Sequence, residues 1–186
     1  MMKTIFPMLS LFLLLSTVTL QAQEEATERP VYAIEVAQNM TTSFEGNLEQ
    51  GATMPLRWAE NSSVACFPGT RFIEFQGNHV FYRMTMPAYS DLKITVKPKD
   101  GKSRINLYAL RLGLNNMSLP PDISSAISCE AAYPLYAGTP NFNIAAEDQS
   151  VSYISVNKAY QILIGVAGAK GFTSGDYILE VQMKER

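Results

Sequence analysis

Alternation of apolar and polar residues over two long stretches is the feature that most constrains how this chain folds. The stretches are residues 79–113, HVFYRMTMPAYSDLKITVKPKDGKSRINLYALRLG, and residues 159–184, AYQILIGVAGAKGFTSGDYILEVQMK. A period of two places successive side chains on opposite faces of a strand, whereas a helix would need a period near 3.6. Helical periodicity is almost absent elsewhere, so the pattern predicts an all-β protein.

The first stretch predicts a three-strand meander. Its strands cover residues 79–86, 92–97 and 104–112, with a short link at 87–90 and the tight-turn dipeptide Asp100-Gly101 before the third strand. Links this short favour antiparallel neighbours. Both alternating sets of the third strand are apolar, which predicts that it is more buried than its neighbours or has an aromatic outer face.

Further strands are predicted from β-branched and aromatic residues bounded by Gly, Asn and Pro. They bring the total to about nine, the number typical of a sandwich or jelly roll. We therefore expect an antiparallel, jelly-roll-like β-sandwich, formed as a single domain by residues 31–186. The additional strands are expected at residues 31–37, 54–59, 71–76, 151–156, 162–166 and 177–183.

The N-terminal residues predict export. Lys3 gives a basic start, residues 5–15 are mostly apolar, and Leu20-Gln21-Ala22 offers a cleavage site before Gln23. We expect residues 1–22 to be a signal peptide and residues 23–30 a flexible acidic tail. The apolar run is too short for a membrane anchor. The expected location is the periplasm or the extracellular space of a bacterium.

Charge and cysteine content narrow the chemistry further. The formal net charge is −2 and no basic cluster exceeds two residues, which argues against a nucleic-acid partner. Two cysteines in an exported chain predict a disulfide between Cys66 and Cys129. A cysteine nucleophile served by His79, the only histidine, is disfavoured because an oxidising compartment would pair the thiol.

The long connection from residue 115 to 150 interrupts the strand pattern. It contains Pro120 and Pro121, a possible helical stretch at 123–131, and Cys129. Connections of this length are uncommon unless they bind something or are tied down. One interpretation is a cover pinned by the disulfide over one end of the sandwich. The other is that the pinned loop forms a recognition surface beside Trp58 or Phe67. The ligand-contacting aromatic residues of this surface would be Trp58, Tyr133, Tyr136 and Phe142.

Three segments resemble the bacterial pre-peptidase C-terminal domain over about residues 70–184. They are VFYRMTMPAYSDLKITVKP, INLYALRLG in the place of an Asp-Leu-Tyr motif, and the closing YQILIGVAGAKGFTSGDYILEV, whose residues 174–179 match a Ser-Gly-x-Tyr-x-Leu ending. The resemblance implies a jelly-roll-like sandwich that accompanies secreted hydrolases as a non-catalytic, surface- or polymer-binding module. Asn106 stands where the motif has an acidic residue.

A collagen-binding module related to this family binds calcium with acidic residues that precede its sandwich. The resemblance gives only weak support for a calcium site in this chain. The acidic residues here follow no metal-binding motif, so no cofactor or metal is predicted and calcium is kept as a minor alternative. The comparable candidates are Glu24, Glu25, Glu28, Glu35 and Glu45.

No enzymatic motif stands out, which favours a non-catalytic protein. There is no Gly-x-Ser-x-Gly elbow, and one histidine with two paired cysteines cannot supply a zinc site without carboxylates. The leading hypothesis is a binding module that recognises carbohydrate or protein at the cell envelope. The first alternative is a structural or assembly protein acting through a sheet edge or apolar patch, and the second is a hydrolase with an unrecognised carboxylate site.

Overall fold

The computed structural model describes residues 29–134 and 147–186, and within these ranges the protein is built from strands and three short 3₁₀ helices. The helices are Leu48–Gln50, Arg57–Glu60 and Gly69–Phe75. The strands are β1 (Val31–Ala33), β2 (Met40–Asn47), β3 (His79–Met86), β4 (Ser90–Pro98), β5 (Ile105–Leu112), β6 (Ser128–Ala132), β7 (Gln149–Ser155), β8 (Tyr160–Gly168) and β9 (Asp176–Glu185).

The strands form two sheets packed as a jelly roll. Sheet A has the order β1-β3-β8-β5-β6 and sheet B the order β2-β9-β4-β7. Apart from the short β1, which runs parallel to β3, every pairing is antiparallel. Successive strands mostly alternate between the sheets, which gives the double-sheet arrangement of a jelly roll. The predicted all-β sandwich is confirmed.

The core between the sheets is formed by the inward-facing residues of both, and three tyrosines add hydrogen bonds inside it. The hydroxyls of Tyr82 and Tyr177 lie 2.9 Å apart. Tyr153 of β7 reaches across to sheet A, where its hydroxyl donates to the Ala109 carbonyl and accepts from the Glu130 amide. Because buried hydroxyls need partners, these bonds fix how the sheets are aligned.

A second core lies on the outer face of sheet A. There Tyr108, Leu110 and Leu112 of β5 are fully buried, although the inward residues of the same strand are buried too. We call the segments that cover this face the cover: residues 48–76 and 113–127. A disulfide joins Cys66 of the cover to Cys129 of β6. The predicted burial of both faces of this strand is confirmed, and so is the disulfide.

Two predicted strands are wrong because their apolar residues serve the cover. Residues 54–59 and 71–76 contribute to the helices Arg57–Glu60 and Gly69–Phe75, which pack flat on sheet A. The possible helix at 123–131 is also wrong, since β6 occupies its second half and pairs with β5. Strand β2 was not predicted at all.

The predicted meander is wrong in its pairing, though its three strands exist. β4 lies in sheet B while β3 and β5 lie in sheet A, so the two links cross between sheets instead of closing hairpins. The Asp100-Gly101 turn does form: the Asp100 carboxylate accepts from the amides of Lys102 and Ser103, and Gly101 has a φ of +62°. The last two strands, β8 and β9, are likewise divided between the sheets.

The predicted signal peptide and most of the acidic tail lie outside the described residues. Within the part that the structure describes, no helix is long and apolar enough to cross a membrane.

Reducing the disulfide should loosen the cover and destabilise the fold. The closed loop spans 63 residues, for which loop-closure entropy gives about 4 kcal/mol of stabilisation. The double variant Cys66→Ser/Cys129→Ser should therefore melt roughly 10 °C below the oxidised wild type by calorimetry. A wild-type sample with reductant is the matched control, and an unchanged melting temperature in both would show that packing alone holds the cover.

Candidate functional site

Of the four aromatic residues expected to contact a ligand, Trp58 and Tyr133 lie within the described residues. Trp58 is only 6% exposed and packs into the second core, and Tyr133 is partly buried. Tyr136 and Phe142 lie outside the described residues. Trp58 is thus a core side chain. For Tyr133, which is described and partly buried, contact with a ligand stays a prediction.

Trp58 and Phe67 stabilise the cover through ring contacts. Phe67 stacks on Phe75 with ring centroids 4.0 Å apart, and Trp58 lies 5.6 Å from the ring of Tyr108. Tyr108 fits closely against sheet A because its partner across the strands is Gly165, where a Cβ would lie 2.1 Å from the tyrosine ring. The cluster joins cover to sheet, and aromatic pairs of this kind contribute beyond their buried area.

His79 is a structural residue in the same layer. Its Nε2 lies 2.7 Å from the Phe75 carbonyl and its Nδ1 lies 3.0 Å from the Tyr108 hydroxyl. Since a carbonyl only accepts, Nε2 carries the proton and Nδ1 accepts from the tyrosine. Burial lowers the pKa of His79 from 6.5 to about 4. A neutral imidazole with both nitrogens bonded and 1% exposure is placed for folding and is closed to a substrate.

The lowered pKa of His79 predicts acid sensitivity. Between pH 6.5 and 4 the unfolded chain binds a proton at this imidazole that the folded protein does not bind. The free energy of unfolding should therefore fall as the pH falls through this window, by about 3 kcal/mol in total. Urea unfolding at a series of pH values measures this loss.

The variant His79→Gln keeps a donor and an acceptor but cannot titrate, so its stability should change much less over the same window. NMR titration of the single imidazole in the wild type gives an independent check. An imidazole that titrates near its ordinary value of about 6.5 would contradict the prediction.

Glu74 is the one fully buried acidic residue among those described, and it too serves the cover. Its Oε2 is 2.7 Å from the Arg104 guanidinium. The backbone carbonyl of Glu74 accepts a hydrogen bond from the side-chain nitrogen Nδ2 of Asn106 at 2.6 Å. An aspartate at position 106 could not donate this bond, which gives a physical reason for asparagine where the resembling family has an acid.

Metal-binding geometry is not found among residues 29–134 and 147–186, where no three His, Cys, Asp or Glu side chains are grouped to hold an ion. Of the acidic residues considered for calcium, Glu45 pairs with Lys99 at 2.9 Å and Glu35 is exposed. Glu24, Glu25 and Glu28 lie outside the described residues.

A shallow depression of about 380 Å³ lies beside the disulfide. Its acidic group, Glu60, accepts a hydrogen bond from the Gly69 amide at 2.7 Å, so that carboxylate already caps the following helix. The depression is open and its polar group is engaged, which makes it a weak site for a small ligand. It is lined by Ala59, Glu60, Ala65, Cys66, Phe67 and Pro68.

One end of the sandwich carries most of the exposed large apolar side chains. Five of them, each 48–59% exposed, lie where β4 begins and where β5 and β7 end. We call this set the apolar end. At the opposite end, within the described residues, Ile73 is the exposed large apolar side chain. The apolar end consists of Tyr89, Leu114, Ile127, Ile154 and Val156.

Hydrogen bonds to backbone groups hold most of the chain segments that carry this set close together. The amide of Ile127 donates to the Arg111 carbonyl, and the Arg111 guanidinium donates to the Ile154 carbonyl. Val156, two residues further on, accepts from the amide of Tyr89 at 3.1 Å. Arg111 also lies over the ring of Tyr160, 5.1 Å from its centroid. The surface therefore combines aliphatic side chains with a tyrosine and a held arginine.

Tyr89 has an unusual backbone conformation for an exposed, bulky residue. Its φ is +55°, in the left-handed region that glycine or asparagine ordinarily occupies. Two backbone bonds hold it there, from its amide to the Val156 carbonyl and from the Arg186 amide to its own carbonyl. Backbone strain of this kind persists at sites where it positions a side chain for contact.

Strain at position 89 predicts a difference between two truncations that both remove the ring. Tyr89→Ala keeps a Cβ in the left-handed conformation, whereas Tyr89→Gly does not. The glycine variant should be the more stable by about 1 kcal/mol in the free energy of unfolding. Equal stability of the two variants in urea unfolding would contradict the strain.

The apolar end was not predicted from the sequence. Its residues come from four separate loops and strand ends, none of which carries a motif. The available signal was the Pro-Ala-Tyr-Ser link at 87–90, where a tyrosine occupies a turn that more often holds Gly or Asn.

Together these features define a jelly-roll β-sandwich with a disulfide-tied cover and an apolar end. No protein-family model matches the chain and no curated protein matches it in sequence. Solved structures similar to it share little sequence. PliG of Aeromonas hydrophila, a periplasmic lysozyme inhibitor of g-type lysozyme, is 9% identical, with a TM-score of 0.43 and coverage of 83% of this chain and 96% of that chain.

PliG of Salmonella Typhimurium, with the same description, is 9% identical with a TM-score of 0.38, covering 83% and 98% of the two chains. The pre-peptidase C-terminal domain of a Bacillus anthracis collagenase is 13% identical with a TM-score of 0.36, covering 84% and 96%. The family expected from the sequence is thus represented among the similar structures. At these values the matches carry no partner or site over to this chain.

Proposed function

We propose that this protein is an exported, non-catalytic binding module that recognises another protein through its apolar end. The observation that carries the proposal is the concentration of exposed apolar side chains at that end. Single exposed apolar residues are ordinary on protein surfaces, whereas a contiguous group marks an interaction site. The disulfide supports an oxidising location for the encounter.

The composition of the surface favours protein over carbohydrate. Sugar rings bind by stacking on exposed aromatic rings, and Tyr89 is the one aromatic member of the apolar end. Its four other members are aliphatic, a chemistry that fits the apolar centre of a protein interface. Tyrosine and arginine are also the side chains that most often contribute strongly to such interfaces, here Tyr89 and Arg111.

Pre-organisation strengthens the proposal. The turn of Tyr89 is tied to β7 and to the C-terminal residue by backbone bonds, and Arg111 is held against Tyr153 and Tyr160. Side chains already ordered before binding lose less conformational entropy when a partner arrives. The two residues are therefore suited to act as anchors.

Site-specific photocrosslinking tests the proposal. The photoreactive residue benzoylphenylalanine replaces Val156 at the apolar end, and the matched control replaces Lys93 on the polar outer face of sheet B. Both proteins are incubated with the envelope fraction of the source cells and, as a defined probe, with g-type lysozyme, the target named for PliG. We expect a protein adduct from position 156 and none from position 93.

Competition makes the result specific. Excess unlabelled wild type should abolish the adduct at position 156. Excess Tyr89→Gly, which lacks the ring and is expected to fold because glycine tolerates the left-handed conformation, should compete at least tenfold less well. Absence of an adduct at position 156, equal adducts at both positions, or equal competition by the two proteins would each contradict the proposal.

A further inference from the structure

Strand β2 is an open edge of sheet B. It pairs with β9 on one side, and among the described residues no strand pairs with its other side. It is eight residues long and contains neither proline nor lysine. The other edge strands are shorter, with three residues in β1, five in β6 and seven in β7, the second edge of sheet B. Natural proteins ordinarily protect long edges, because unpaired backbone groups attract another strand.

The register with β9 shows which backbone groups of β2 are free. The amide of Leu48 donates to the Gly175 carbonyl directly opposite, and Gly46 is opposite Tyr177 two places earlier. In an antiparallel ladder such hydrogen-bonded pairs alternate with pairs whose groups point away. Even-numbered residues of β2 therefore bond to β9, and odd-numbered residues direct their amides and carbonyls outward.

The outward groups form a short, bounded set. The amide of Asn47 is already taken by the side chain of Gln50 at 3.1 Å, and Asn39 ends the strand at the other side with a φ of +61°. By this alternation, the amides of Thr41, Ser43 and Glu45 point away from β9. These three residues are the free edge.

We propose that two copies of this chain pair through β2, antiparallel about a twofold axis at Ser43. In this register Ser43 faces Ser43 of the second copy and Thr41 faces its Glu45. Each of these pairs is of the hydrogen-bonded kind, so all outward amides and carbonyls of the free edge find a partner. A shift in either direction leaves some of them unpaired.

Side chains of β2 complement each other in the same register. The inward row is Met40, Thr42, Phe44 and Gly46, of which Phe44 packs against the main core. Pairing places Met40, which is 55% exposed, opposite Gly46 of the second copy, and Thr42 opposite its Phe44. The ring of Tyr177 fills the inward position at Gly46, so Met40 would meet that ring, and no like charges face each other because Glu45 meets Thr41.

Sedimentation velocity over a concentration series tests the pairing. The wild type should shift from the monomer mass to twice that mass. Ser43→Pro removes one outward amide, which the fold does not use, and should remain monomeric at every concentration. Ser43→Ala keeps the amide and is the matched control, expected to dimerise like the wild type.

A charge exchange tests the register itself. Ser43→Lys and Ser43→Glu each place like charges across the axis and should each be monomeric. An equimolar mixture should restore the dimer, because opposite charges then face each other at the same position. Circular dichroism confirms that every variant is folded. Hydrogen exchange should show the amides of Thr41, Ser43 and Glu45 protected in the dimer alone.

The pairing does not depend on the proposed function, and Tyr89→Gly separates the two, since it should dimerise like the wild type. A wild type that stays monomeric up to its solubility limit would overturn the pairing. So would dimerisation of Ser43→Pro equal to that of the wild type, a mixture that fails to associate, or dimers in which the three amides exchange freely.

Discussion

The need to cover both faces of sheet A governs the rest of this structure. Its central strands bury almost every residue: seven of nine in β8 and seven of eight in β5. One face is covered by sheet B and the other has to be covered by chain that forms no sheet of its own. Because irregular chain brings unpaired polar backbone groups to a buried surface, the cover needs specific partners for them. His79 supplies one such partner, because its Nε2 donates a hydrogen bond to the Phe75 carbonyl.

Arg83 shows the same requirement at the other side of the cover. It is 7% exposed and its guanidinium donates to the carbonyls of Asn116, Met117 and Ser118. Burial without a carboxylate lowers the pKa of Arg83, and the three carbonyls compensate by acting as acceptors for the charge. A covalent link, the disulfide, completes a cover held by packing, by hydrogen bonds and by cross-linking at once.

The sequence predicted those parts of the fold that a strand's own residues determine. Period-two alternation located β3, β4, β5, β8 and β9, and the double apolar pattern of β5 predicted its burial on both faces. Strand β2 was not predicted because one of its inward positions is a glycine, Gly46, where the ring of Tyr177 from the neighbouring strand fills the space. When a side chain from the neighbouring strand fills the space at a glycine, the apolar pattern is incomplete in the glycine-containing strand and cannot be recognised from that strand alone.

Elements determined by distant contacts were not predictable in the same way. Apolar residues at 54–59 and 71–76 pack on the outer face of sheet A. A segment buried against a sheet has the same apolar residues in its sequence as a buried strand, so the two cannot be told apart. The conformation of Tyr89 is set by bonds to Val156 and Arg186, far away along the chain. The candidate site was therefore hidden because it exists only once the strand ends have been brought together, whereas Trp58, which looked suited to a ligand, was needed to cover sheet A.

The contrast between the sheets explains where partners can bind. Sheet A has no free face, while β7 of sheet B alternates buried and exposed residues along its whole length. Partners can then reach the ends of the sandwich and, on sheet B, its outer face and its edge strands β2 and β7. An antiparallel pair through β2 would direct the two apolar ends in opposite directions, since paired strands run oppositely. Such a dimer would bind two separate partner proteins, one at each apolar end, and could not contact one partner with both ends. Its affinity would gain from avidity only where the two partners are themselves linked.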